Sequence, residues 1–297
     1  MKVRIKLTKI GSIRFVGHLD FMRFFQKALR KSGIACAFSK GFSPHLLISF
    51  ASPLGVGLES VGEYVDVELA YRDPFEMARD DLEKLKSMGL VNDELPEVPP
   101  SEELLSKINA IMPEGVLALE MTRVEENKGK AMAMVRGADY LVFLEEGYLP
   151  GITDPETISG FLSQEEIVIH KVSKKTESDT DIKPLLYNMK KLDFGEAADM
   201  IDQANEAARR SADESVQDAA KTIPGADICR EMAEAGYPRV IFLSVSAGSA
   251  ANLKPETVLE AFAAFTGQDV DSEAVRILRT EMYGPEGKKL GELGRTF

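Results

Sequence analysis

Val3, Ile5 and Leu7 alternate with Lys2, Arg4 and Lys6, the period-two pattern of a strand with one buried face. From Gly17 to Ser32 the apolar positions Leu19, Met22, Phe25 and Leu29 recur at helical spacing, and Gly33 is placed to end the element. Arg23, Lys27 and Arg30 stand at i, i+4 and i+7 of that helix, so one stripe of it is basic. Leu46 to Ala51 reads as a strand, and turns follow around Pro53, Gly55 and Gly57. Val65, Val67 and Leu69 then alternate with Tyr64, Asp66 and Glu68, which predicts a strand with the polar set facing solvent. Next come a charged amphipathic helix over 74–88 and an acidic, proline-bearing connector over 92–100. A helix opened by Ser101, with Glu102 and Glu103 in its first turn, and a strand from Val116 to Val124 follow.

The pattern then recurs. Strands are predicted at 140–144, 167–172, 240–245 and 275–282, with helices at 154–162 and 255–265. Ala197, Met200, Ile201, Ala204 and Ala208 recur at helical spacing within an Ala-rich, acidic stretch, 190–237. The expected architecture is α+β, two tandem ferredoxin-like (βαββαβ) domains. Their bounds are 1–126, with an insertion at 75–100, and 127–297, with a helical insertion at about 190–237.

Charge changes this picture. Residues 1–50 hold ten Lys or Arg and one acid, Asp20, in a chain of formal charge −12, so this end is about +9 and the remainder about −21. Like charges gathered together favour an anionic partner. With 44% hydrophobic and 28% charged residues the chain is globular. It carries no apolar run of about 20 residues to span a bilayer and no signal peptide, so the cytoplasm is the expected compartment. Cys36 and Cys229 fit no redox or metal spacing and read as buried thiols, and the three histidines form no metal pattern. P-loop, GxSxG and complete dinucleotide motifs are missing.

Two loops could receive an anion. Phe38-Ser-Lys-Gly-Phe-Ser-Pro-His45 pairs a bent backbone at Gly41 and Pro44 with donors from Ser39, Lys40 and His45, and Phe42 could stack on a flat ligand. Arg14 and the Arg23, Lys27, Arg30 stripe lie in the same basic segment. The small-residue loop 246–255 enters a helix at Pro255, with Asn252 and Lys254 as side-chain contributors. His18 and Asp20 open the first helix, either as an acid–base pair or as Asp20 supporting the helix dipole and pairing with Arg23.

Several stretches resemble a bacterial family of uncharacterised function, the radical-SAM-associated domain. They are Arg14-Phe-Val-Gly-His-Leu-Asp20, Phe38 to His45, Ile48 to Val56, Gly62 to Val67, Met112 to Val116, Asp181 to Pro184 and Asn252 to Pro255. The resemblance implies association in trans with a radical-SAM enzyme, which would hold the iron–sulfur cluster and SAM, and with RNA. It supplies no catalytic residue.

Three readings follow. One is an RNA-binding accessory to a radical-SAM enzyme in tRNA or rRNA modification or processing, with nothing that selects DNA. The second is a cofactor-free RNA-modifying enzyme similar in architecture to pseudouridine synthases, with Asp20 as its candidate acid. The third is an adaptor whose basic face docks an acidic partner.

Overall fold

The alternation at the start of the chain becomes β1 (Lys2–Lys9), and the first helical pattern becomes α1 (His18–Lys31). The computed structural model describes residues 1–40, 42–71, 96–125, 129–172, 177–210 and 224–297. After α1 come β2 (Ile48–Phe50), β3 (Glu59–Glu68), α2 (Ser101–Asn109) and β4 (Ala118–Arg123). These four strands lie in the order β4-β1-β3-β2, every neighbour antiparallel. Phe21, Phe25 and Leu29 of α1 and Leu104 and Ile108 of α2 pack on Val3, Ile5, Leu7, Val65 and Val67. Each such side chain, fully buried, contributes about 1.5–3 kcal/mol. Leu19, expected on the inner face of α1, is 61% exposed because Phe21 takes its place.

The second half runs α3 (Ala131–Met134), β5 (Gly137–Leu144), α4 (Pro155–Ser163), β6 (Val168–Val172), β7 (Glu177–Asp181) and β8 (Leu186–Leu192). It continues with α5 (Phe194–Arg210), α6 (Gly225–Glu234), β9 (Arg239–Ser246), α7 (Pro255–Thr266) and β10 (Val275–Tyr283). Here the order is β10-β5-β9-β8, again antiparallel throughout. The expected strand at 167–172 is not part of this sheet. As β6 it pairs with β7 in a separate two-stranded ribbon, and β8 occupies the place beside β9. One face of this half is covered by α4 and α7 through Phe161 and Phe262, the other by α5 and α6 through Ile201 and Ile228.

The halves meet where β3 runs parallel to β10, Glu59 beside Leu278 and Ser60 beside Arg279, which gives one eight-stranded sheet. A β-carbon on Gly62 would lie 2.6 Å from the Thr280 carbonyl oxygen, so only glycine lets the strands approach this closely. The result is a mixed α/β fold with a mostly antiparallel sheet and seven α-helices among the described residues. None of those helices is long and apolar enough to cross a membrane. The expected helix at 74–88, most of the 75–100 insertion and the expected join near 127 lie outside the described residues.

A candidate anion surface and a polar cleft on opposite faces of the sheet

The basic stripe of α1 forms because Phe21, Phe25, Ala28 and Leu29 turn inward, which leaves Arg23, Lys27 and Arg30 in solvent. Arg30 and Lys31 in the last turn also suit the negative end of the helix dipole. Arg23 pairs with Asp20 at 3.1 Å, an exposed i, i+3 contact. Among the described residues no carboxylate pairs with Lys27, Arg30, Lys31 or Lys40. The guanidinium of Arg14 lies 4.4 Å from the centre of the Phe15 ring and donates to the Gly11 carbonyl at 3.3 Å.

His18 and Asp20 are not brought together. The His18 ring sits edge-on to Phe50 with centroids 5.1 Å apart, and burial, then the charge of Lys9, lowers its pKa. Asp20 faces the open surface with Arg23, so it acts as a first-turn acid and does not orient the imidazole.

The 38–45 loop is closed at its foot by a bridge between Phe38 and Leu46. Ser39 donates its N–H to the His45 carbonyl at 2.8 Å, its hydroxyl lies 2.8 Å from His45 Nδ1, and the His45 N–H donates to that hydroxyl at 3.1 Å. The side chains of Ser39 and His45 therefore brace the loop, where the sequence suggested free donors. Lys40, Phe42 and Pro44 are exposed, Phe42 completely, and Gly41 lies outside the described residues. The α1 stripe ends close by, since the charge of Arg30 reaches the Cys36 thiol below this loop. Cys36 is half-buried, not buried as expected, while Cys229 is buried; both are free thiols pushed up to about 11 by burial.

Asn252 and Lys254 are exposed, and Lys254 precedes the first residue of α7. The hydrogen bonds of the 246–255 loop run within itself, to Arg136 and to the first turn of α7, and among the described residues none joins it to α1.

The cations of β1 have a different fate. Arg4 is 1% exposed and Lys6 3%, on the face of the sheet opposite α1. Arg4 grips both oxygens of Asp66, at 2.8 and 3.2 Å, and donates to the Leu290 carbonyl; Lys2 lies 3.5 Å from the same carboxylate. Lys6 donates to Glu281 at 2.8 Å and to the Ala204 carbonyl of α5 at 2.6 Å. Tyr64 donates to the other Glu281 oxygen at 2.6 Å. Tyr64 and Asp66 are thus buried, and only Glu68 of the expected solvent set is exposed. Arg276 with Glu59 and Arg279 with Glu63 add two further buried pairs at the join. Isolated charges could not stay in such a place, so each is matched.

Beside this network lies a cleft of about 600 Å³, floored by Lys6, Tyr64, Glu120 and Glu281 and walled by α5 and the segment 289–296. The sequence did not point to it, because its residues come from β1, β3, α2, β4, α5, β10 and the segment 289–296. One signal was available: alternating Lys2, Arg4, Lys6 and alternating Tyr64, Asp66, Glu68 are complementary, and the antiparallel register sets them opposite one another. Burial raises the pKa of Glu120; the charge of Lys6 pulls it down and that of Glu281 pushes it up. Gly291 leaves room for this carboxylate, since a β-carbon there would sit 2.4 Å from Glu120 Oε2. Burial, then the charge of Glu281, holds the Tyr64 phenol well above its usual range. A family model described as "Uncharacterized protein conserved in bacteria (DUF2344)" matches residues 2–99 and 88–216. No curated protein matches the chain.

Proposed function

The chain belongs to this conserved bacterial family, and on that premise we propose that it is an RNA-binding accessory protein working with a radical-SAM enzyme in tRNA or rRNA modification or processing. The observation that carries the reading is the surface of Lys27, Arg30, Lys31 and Lys40, with which no carboxylate among the described residues pairs and which ends beside the fully exposed Phe42. Lysines and arginines on a helix suit phosphates, and an open aromatic ring suits an unstacked base. Cofactors belong, on this reading, to the enzyme partner. The reading also takes each half as a ferredoxin-like unit, supported by the strand orders β4-β1-β3-β2 and β10-β5-β9-β8.

Fluorescence anisotropy with unmodified tRNA or rRNA fragments tests it. Affinity falls at least tenfold in R23E/K27E/R30E, and the slope of log affinity against log salt shrinks by about 0.7–0.9 for each phosphate that the variant no longer neutralises. Unchanged titration curves overturn the reading. The changed side chains are exposed, so the variant folds.

A second observation favours a protein partner at the same end of the molecule. Phe15, Leu19 and Val56 are 62%, 61% and 62% exposed, and the Gly57 N–H donates to the Arg14 carbonyl at 2.9 Å, which holds the Val56 turn against this segment. We assign this apolar patch to the enzyme. F15A/L19S abolishes its capture after nuclease treatment while leaving RNA affinity unchanged; retained capture removes the assignment.

A further inference from the structure

The eight-stranded sheet ends at β8, whose outer side pairs with no strand among the described residues. From Asn188 to Leu192 its register with β9 is unbroken, Asn188 opposite Ser244 and Leu192 opposite Val240. In such an antiparallel pair every second residue turns its N–H and C=O away from the partner strand. Among the described residues no backbone hydrogen bond outside the β9 ladder reaches this stretch. The opposite edge of the sheet is sheltered, because Arg295 bridges to Arg123 at the end of β4. An open edge is a template for one more extended chain.

A groove of about 520 Å³ lies between β8 and α4. Ile158 and Leu162 of α4 and Met189 of β8 form its apolar part, and Lys190 and Lys191 line it as well. Successive residues of a strand point to opposite faces, so a groove that takes in Met189, Lys190 and Lys191 opens at the edge of the sheet. Met189 is anchored in the core beneath α4 and α7, and Leu192 in the core beneath α5 and α6. The two lysines between them bracket the open backbone. Both are exposed, and no carboxylate among the described residues pairs with either. The Lys190 ammonium instead lies 5.8 Å from the centre of the Phe242 ring.

We propose that β8 receives an extended peptide of a partner protein in which two adjacent carboxylates lie between apolar residues. Main-chain hydrogen bonds to the open side of β8 fix the register, and the carboxylates stand opposite Lys190 and Lys191. An apolar neighbour enters the groove over Met189, against Ile158 and Leu162. A second copy of this chain fits less well, because pairing through β8 sets its own lysines beside these, and like charges across a ladder repel. An RNA would satisfy the lysines but leave the strand backbone unpaired, and no aromatic ring lines the groove to stack a base.

Fluorescence anisotropy of the full chain with a labelled eight-residue peptide centred on leucine-glutamate-glutamate-leucine tests it. The peptide binds one to one. K190E/K191E weakens it about tenfold, and glutamine in place of both peptide glutamates has an effect of the same direction. K107E on α2, in the other half of the chain, changes nothing. The lysines changed are exposed, so these variants fold. N-methylation of alternate peptide amides separates strand pairing from charge: one set abolishes binding and the other leaves it intact. Absence of binding, wild-type affinity in K190E/K191E, or equal loss from both methylated sets overturns the proposal. So does displacement by an RNA oligonucleotide of equal charge, or a dimer of the chain that the peptide dissociates in analytical ultracentrifugation. The edge is read with a peptide and the α1 surface with RNA, so the two readings fail separately.

Discussion

The cations of α1 and those of β1 belong to one fifty-residue segment and to opposite regimes of electrostatics. On α1, Lys27 and Arg30 keep their hydration and have no fixed partner among the described residues. On β1, Arg4 and Lys6 are stripped of water and held by Asp66 and Glu281. The difference lies in the neighbouring element. A helix flank faces solvent, whereas the polar edge of a strand in the middle of a sheet faces whatever strand and cover the fold supplies. A net charge of about +9 for residues 1–50 therefore overstates the surface available to an anion.

That contrast can be broken at its strongest point. E281A leaves Tyr64 without its acceptor and the buried Lys6 charge with only the Ala204 carbonyl, and is expected to destabilise the chain by about 3–5 kcal/mol, read by urea denaturation. K27A, by contrast, stays within about 0.5 kcal/mol of wild type. The double change K6M/E281L restores most of that stability, because removing both charges also removes the desolvation penalty. If E281A and K27A denature alike, the buried network is not what holds this face.

A smaller effect is expected at the join. G62A brings a methyl group against the Thr280 carbonyl and costs on the order of 1–3 kcal/mol, again by denaturation, with no change in RNA affinity. A midpoint equal to wild type would mean that β3 and β10 separate easily.

The smallest effect depends on pH. Glu120 holds its proton to higher pH in the folded chain than in the unfolded one, chiefly through burial. Its contribution to stability is present below the ordinary carboxylate range and is lost as pH rises through the raised value. E120Q should match wild type in acid and be more stable near neutrality; a constant gap across pH contradicts this assignment.

Much of the fold was legible. β1 and α1 carry two- and 3.6-residue periods, and β9 carries a continuous apolar run; the structure places these, with α7 and β10, within a few residues of the expected spans. β8 was not legible, because its buried positions Leu186, Met189 and Leu192 recur every three residues across an irregular register and mimic a helix. β7, Glu177-Ser-Asp-Thr-Asp181, has no apolar residue to read. Of the site, the stripe on α1 could be read from spacing alone. The roles of Ser39 and His45 could not, since the hydrogen bonds that occupy them span six residues of irregular backbone. The cleft was hidden because Lys6 and Glu281 are 275 residues apart, and no local pattern reports on such a meeting.

The seam between β3 and β10 has a consequence for the nascent chain. The amino-terminal end of β3 leaves the ribosome some two hundred residues before the strand that caps it, so its backbone N–H and C=O groups stay open on one side throughout the synthesis of the second half. Closing that edge is among the last and most non-local steps of folding. Until it happens, Glu59 and Glu63, whose arginines are still to be made, keep the waiting edge hydrated and discourage a second copy from pairing there.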